Sequence, residues 1–258
     1  RSADATFVYA FLAALLCWAS FPPMKLSFLI WIVPAVWTVL IRQPLSGKAD
    51  LKHGSSASGL RILRARSGFY LKIWIAGACF WLVLLHDMWF PHLWIKISWI
   101  AVSCYLALLW TLFIGLSRAA VHRLGIPVVI AAPVVWCGLE WARKNGLCGG
   151  LSGGCLEHTQ YLNTTLIQVA DICGEYGVGM LIIFVGACIG RLPPIPPQPR
   201  RLQSSVIACL DTKAAAVLGC IGVLVAATLY GRHQLGLQRE RAAAGLTSPR
   251  VEIALLQG

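Results

Sequence analysis

Seven long runs of apolar residues, nearly free of charge, constrain this chain more than anything else in it. They are Thr6–Phe21, Leu26–Ile41, Phe69–Leu85, Leu93–Leu116, Leu124–Leu139, Tyr161–Ile189 and Ala214–Tyr230. A helix needs about 20 residues to cross the hydrocarbon core of a bilayer. Only 12% of the 258 residues are charged and 58% are hydrophobic, against about a quarter charged in a soluble domain. A water-soluble core cannot absorb that much apolar surface, whereas a bilayer can. The runs therefore predict an all-α polytopic membrane protein of about seven transmembrane helices. The first two runs are short and meet at Phe21-Pro22-Pro23, which predicts a tight helical hairpin. The first run has no small-x-small cleavage site before Pro22, and Leu16 precedes Cys17 where a lipobox needs a small residue, so we read a retained helix rather than a signal peptide.

A net charge of +12 would suggest nucleic acid in a soluble protein, but the position of the charges points to a membrane and to no nucleic-acid partner. Arg42, Lys48, Lys52, Arg61, Arg64 and Arg66 lie between runs two and three, Arg118 and Arg123 between four and five, and Arg191, Arg200, Arg201 and Lys213 between six and seven. The alternate connections are close to neutral: Lys25, then His86, Asp87 and His92, then Glu140, Arg143, Lys144 and Glu157. By the positive-inside rule the basic loops and the N-terminus face the cytoplasm, and Arg232 onward faces the periplasm. The cytoplasmic stretches Ser46–Ser58 and Pro193–Ser205 have linker compositions, Gly/Ser/Lys-rich and Pro-rich respectively. The absence of an internal repeat weakens an inverted-repeat transporter.

Of the ten cysteines, most sit inside apolar runs, where cysteine behaves as a small hydrophobe. Cys148 and Cys155 fall in a connection; their spacing permits a disulfide and nothing demands one. No metal or cofactor set emerges. His158 has no second His or Cys at ligand spacing and reads as a polar loop contact. Trp89, Trp94, Trp99 and Trp136 fall near the outer boundary, as an interfacial belt would.

The unusual residues concentrate in 136–176, on the outward side. Glu140, Arg143, Glu157, His158, Asp171 and Glu175 sit at or near the boundary, and Gly146, Gly149, Gly150, Gly153 and Gly154 interrupt any long helix there. Two readings stay open. One is a loop shaped around a polar headgroup or a nucleophile. The other is an ordinary solvated loop in which Glu140 pairs with Arg143 or Lys144 at helical spacing. Asp171 and Glu175, four apart, share a helical face and read as interfacial or N-terminal acids. Neither Cys148 nor Cys155 has a base and an orienting partner beside it in sequence, so neither reads as a nucleophile.

The same stretch resembles apolipoprotein N-acyltransferases. Pro133, Trp136, Glu140 and Arg143 match a Pro-x-x-Trp-x-x-x-Glu-x-x-Arg pattern, Leu156–Tyr161 (LEHTQY) a following Gln pattern, and Leu166–Val178 (LIQVADICGEYGV) a Gln-x-Ala-Asp run. Ala19–Pro23 (ASFPP) supports it in the first hairpin, while the glycine-rich 146–154 departs from the aromatic turn often found in that family. The resemblance implies a transmembrane domain over residues 1–231. It also implies that 232–258 is a linker leading into RVEIALLQG, the first β-strand of an α/β nitrilase-like domain cut off at Gly258. Both ends, Arg1 and Gly258, are expected to be cuts. The implied reaction moves an acyl chain from a phospholipid donor to the N-terminal amine of a diacylated apolipoprotein in the bacterial inner membrane. It runs through a thioester on a Cys, with a Glu base and a Lys at the oxyanion, none of which is expected in this chain. Placement, glycine-broken backbone and resemblance together make Glu140, Arg143, Ser152, His158, Gln160 and Tyr161 the expected substrate-binding residues. A transporter or a non-catalytic membrane scaffold is the alternative.

Overall fold

A computed structural model describes residues 2–43, 56–89, 93–146, 151–192 and 213–243 of the chain. All seven apolar runs are helical within them. The long helices are α1 (Ser2–Ser20), α2 (Val33–Arg42), α3 (Ser56–Leu84), α4 (Leu93–Arg123), α5 (Val128–Asn145), α6 (Ala170–Ile189) and α7 (Lys213–Ala243). Four stretches are long and apolar enough to cross a membrane: Arg66–Leu84, Leu93–Arg123, Ala170–Ile189 and Ala214–Ala243. The first hairpin holds only shorter apolar helix, Ala5–Ser20 and Ser27–Arg42, and α5 spends its last turns on Glu140, Arg143 and Lys144.

Several expected boundaries shift, each for a local reason. Run two is not one helix: a 3-10 turn, Ser27–Trp31, precedes α2, and Pro34 sits in its first turn, where a missing N–H costs nothing. Run six begins late. Asn163 caps a single helical turn, Thr164–Ile167, through its side chain, and α6 starts at Ala170 and breaks at Gly174, whose φ of 66° suits glycine. The linker-like Ser46–Ser58 gives way to α3 at Ser56. The 232–258 segment opens as helix, because α7 runs unbroken to Ala243. The expected strand within Arg250–Gly258 and the Pro-rich Pro193–Ser205 lie outside the described residues, and no strand occurs among the described ones.

Helices packed inside a bilayer gain little from hydrophobicity, so close backbone approach and polar contacts hold them together. Gly186 of α6 meets the Pro34 ring of α2, where a Cβ would stand 2.6 Å from the Pro34 Cβ. Gly190 lies against Ala35 and Thr38, and Gly77 of α3 against Ala107 and Trp110 of α4. The centre is aromatic: Trp37 stacks on Trp136 at 5.3 Å, and Phe80 on Trp110 at 4.9 Å. Phe113 turns its edge to Trp136 at 5.1 Å. Trp136 therefore belongs to the core rather than to an interfacial belt, while Trp94 stands exposed.

The basic end is locked by cations on helix C-termini. Arg118 is buried on α4 and donates to the carbonyls of Leu40 and Ile41, the last of α2, with its guanidinium over the Phe69 ring at 4.9 Å. His122 meets the Ile41 carbonyl at 2.7 Å, and Arg42 donates to the Gly190 carbonyl at 3.0 Å. Those carbonyls have no partner within their own helices, and a cation there also complements the helix dipole.

Candidate functional site

The opposite end carries mixed charge, and α5 builds it. Pro127 opens this helix and Gly146 closes it, so its outer turns present Glu140, Arg143 and Lys144 to the segment that follows. That segment descends onto the bundle at Gly154, where a Cβ would collide with the Trp81 ring; glycine lets the chain lie flat on the indole. The 3-10 turn Leu156–Gln160 then tucks Leu156, Glu157, Thr159 and Gln160 inward.

Five charged side chains close on one another there. Arg143 lies 3.7 Å from Glu140 across i,i+3 and donates to Cys155 Sγ and, at 3.5 Å, to the Gly153 carbonyl. Lys144 pairs with Glu157 and with Glu175 of α6, each at 2.9 Å, and lies over the Tyr176 ring. Gly179 of α6 makes the junction compact: a Cβ there would stand 3.2 Å from Oε2 of both Glu140 and Glu157, and 3.8 Å from Trp136 Nε1. Neither of these Oε2 atoms closes a hydrogen bond among the described residues.

The electrostatics follow from this crowding. Burial, and then the neighbouring Glu157 carboxylate, push Glu140 well above the usual carboxylate range, although Arg143 and Lys144 oppose the shift. Burial lowers Lys144, but its bonds to Glu157 and Glu175 outweigh that and hold it above the usual lysine range. Burial pushes the Cys155 thiol up to about 12, so it is protonated near neutrality and a poor nucleophile.

The cluster borders a narrow aromatic slot that is partly open to solvent. Phe80, Trp81, Trp110, Trp136, Cys17 and Leu106 line it, and Glu140, Arg143, Gly154 and Leu156 complete the lining. The lining is mostly apolar, with Glu140 and Arg143 as its charged members.

Of the six expected binding residues, the structure brings Glu140 and Arg143 together at the slot. Gln160 is turned fully inward; its Nε2 donates to the Ser27 carbonyl and to Thr159 Oγ1, both at 3.1 Å, bracing the segment against the first hairpin. Ser152, His158 and Tyr161 are exposed on the outer surface. Sequence spacing paired Glu140 with either neighbour, whereas Lys144 turns away to Glu157 and Glu175. Asp171 and Glu175 do not act as one face. The break at Gly174 separates them, and Asp171 instead accepts from Tyr230 of α7 at 2.9 Å. Sequence also gave His158 no neighbouring ligand, yet Cys155, Glu157 and His158 place donor atoms within 4.8 Å of one another. Arg143 on the sulfur and Lys144 on the carboxylate disfavour a dication there. Cys155 is a free thiol; Cys148 lies outside the described residues. Glu157, Lys144 and Gly179 were missed as site residues, and only the charge of the first two offered a signal.

Bundle and site together define a polytopic helical membrane domain with a charged, partly closed cleft at one end. Residues 13–188 match the family model described as the apolipoprotein N-acyltransferase N-terminal domain, and the chain belongs to this family. It is similar to the apolipoprotein N-acyltransferase of Rhodopirellula baltica, 27% identical over 237 residues that cover 88% of this chain and 37% of the relative. It is also similar to that of Geobacter metallireducens, 29% identical over 188 residues, 72% of this chain and 33% of the relative. The chain thus spans about a third of the length of the curated relatives it matches.

Proposed function

We propose that this chain is the membrane part of an inner-membrane N-acyltransferase that moves an acyl chain from phospholipid to the N-terminal diacylglyceryl-cysteine of lipoproteins. The observation that carries this reading is the cluster of Glu140, Arg143, Lys144 and Glu157 over an aromatic slot, inside the residues the family model matches. The slot offers an apolar lining for a lipid, and the exposed Ser152, His158 and Tyr161 beside it offer polar contacts to its headgroup. Basic loops in the cytoplasm put this end of the bundle in the periplasm. The nucleophilic Cys, the base Glu and the oxyanion Lys belong to sequence beyond this membrane domain, so the 258 residues alone transfer no acyl group. A transporter fits less well: apart from Lys72 of α3, the Asp, Glu, Lys and Arg of the described helices gather toward the two ends and form no charged path through the middle.

Photoreactive groups at positions 152 and 158 of a full-length protein test the reading. They are expected to capture phospholipid, and equal capture from position 55 in the basic loop would remove the case for this site. Mass spectrometry of residues 1–258 with phospholipid and a diacylated lipopeptide is expected to show no product, beside a full-length control that forms it. A thioester adduct on this chain would place the chemistry in the membrane part and overturn the assignment.

A further inference from the structure

The segment 151–160 is seated on the core through Leu156 and is also held by charges. Arg143 grips it at Gly153 and Cys155, and Lys144 grips it at Glu157 while reaching on to Glu175 of α6. Gly154 and Leu156 of the same segment line the slot, and we term the segment its roof. Among the described residues the charges do not balance if every group is ionised: Glu140, Glu157 and Glu175 stand against Arg143 and Lys144. The excess falls on a covered pair, Glu140 and Glu157, whose Oε2 atoms face the same bare edge of Gly179 beside Trp136 Nε1 and close no hydrogen bond among the described residues. A buried negative charge without a partner is costly, and a proton on one carboxyl removes it.

We propose that Glu140 and Glu157 together hold one proton, and that losing it releases the roof over the slot: a proton-operated clasp. In the closed state the proton resides on Glu140, leaving Glu157 ionised for Lys144. When it departs, a second negative charge faces Glu157 in a covered site whose two cations are already committed, and the segment lifts toward water. The sign follows from the direction of the Glu140 shift. Its carboxyl binds its proton more tightly when clasped than when open, so the clasp is at full strength on the acid side. That strength falls as pH rises through the clasped-state titration. The groups facing the pair are Arg143 and Lys144 from α5, Cys155 and His158 from the roof, Glu175 from α6 and the apolar Cys17 thiol across the slot. The imidazole of His158 lies close to Glu157, so the test must separate it. The bearing of the clasp on lipid access rests on the function proposed above.

Hydrogen exchange over residues 151–163 in the intact chain, in detergent, reads the clasp without any substrate. Corrected for intrinsic exchange, protection is expected to fall about tenfold or more between pH 5.5 and pH 8.5. Glu140→Gln, permanently neutral, is expected to change less than twofold, while His158→Gln keeps the wild-type response. A flat wild-type profile, an undiminished response in Glu140→Gln, or loss of the response in His158→Gln would each overturn the proposal. Should Glu140→Gln not fold, Glu157→Gln serves. Removing the repelling neighbour moves the transition to lower pH, and an unmoved midpoint overturns the clasp. A flat exchange profile leaves the lipid reading intact, and absent crosslinking at 152 and 158 leaves the clasp intact.

Discussion

Replacing Lys144 by Met tests how much the charged junction contributes to stability. Met nearly preserves the length and apolar bulk of the stem, so the change isolates the ammonium. The contact to Glu175 adds little, because that carboxylate is half exposed. The contact to Glu157 matters, because both of its side chains are covered and a buried carboxylate stripped of its cation costs about 3–5 kcal/mol. Lys144→Met is therefore expected to destabilise the chain by about 3–5 kcal/mol at pH 7. Tryptophan fluorescence during thermal scans in detergent measures it against wild type. A loss below about 1 kcal/mol, the range of an exposed pair, would refute a buried Lys144–Glu157 pair.

At the basic end, Arg118→Met removes the Leu40 carbonyl's donor and leaves the Ile41 carbonyl to His122, and is expected to cost about 3 kcal/mol in a thermal scan. Arg118→Lys restores only part of it, because an ammonium cannot reproduce the guanidinium fork. Gly190→Val places a Cβ 2.6 Å from the Ala35 carbonyl oxygen and the Thr38 Cβ, and is expected to cost about 1–3 kcal/mol by forcing α2 and α6 apart. In a cysteine-free background, a cysteine at position 151 is expected to react with an impermeant thiol reagent in intact cells and one at 55 to stay protected. The reverse pattern would invert the topology.

The helices were legible because a bilayer demands long apolar runs, and such runs need no knowledge of their neighbours. Local breaks were partly legible: Pro22-Pro23 marked the first hairpin, but nothing in the apolar Tyr161–Ile189 run marked Asn163 as a cap or Gly174 as the point of reversal. The site was legible as a region and not as a set of contacts. Spacing along α5 finds the Glu140–Arg143 pair, since i and i+3 meet on any helix. It cannot tell that Lys144 prefers Glu157 and Glu175, because that choice depends on where the returning chain lands. Trp136 illustrates the same limit: an outer-boundary tryptophan fits an interfacial belt by position, and only the partners Trp37 and Phe113 show that it faces inward.

Helix α7 has a mechanical consequence. Its 31 residues extend about 46 Å at 1.5 Å per residue, against about 30 Å of hydrocarbon, so roughly a third of it stands clear of the bilayer. Its azimuth is pinned at the boundary, where the Tyr230 hydroxyl donates to Asp171 and Gly231 seats against the Thr165 carbonyl. Beyond that pin the helix acts as a splined shaft. The chain after Ala243 leaves in a direction set by the number of residues counted from Gly231. Deleting one residue between 233 and 243 retracts that departure point by only 1.5 Å but turns it about 100° around the shaft. Deleting seven turns it by only about 20°, a difference in phase that length alone would never reveal.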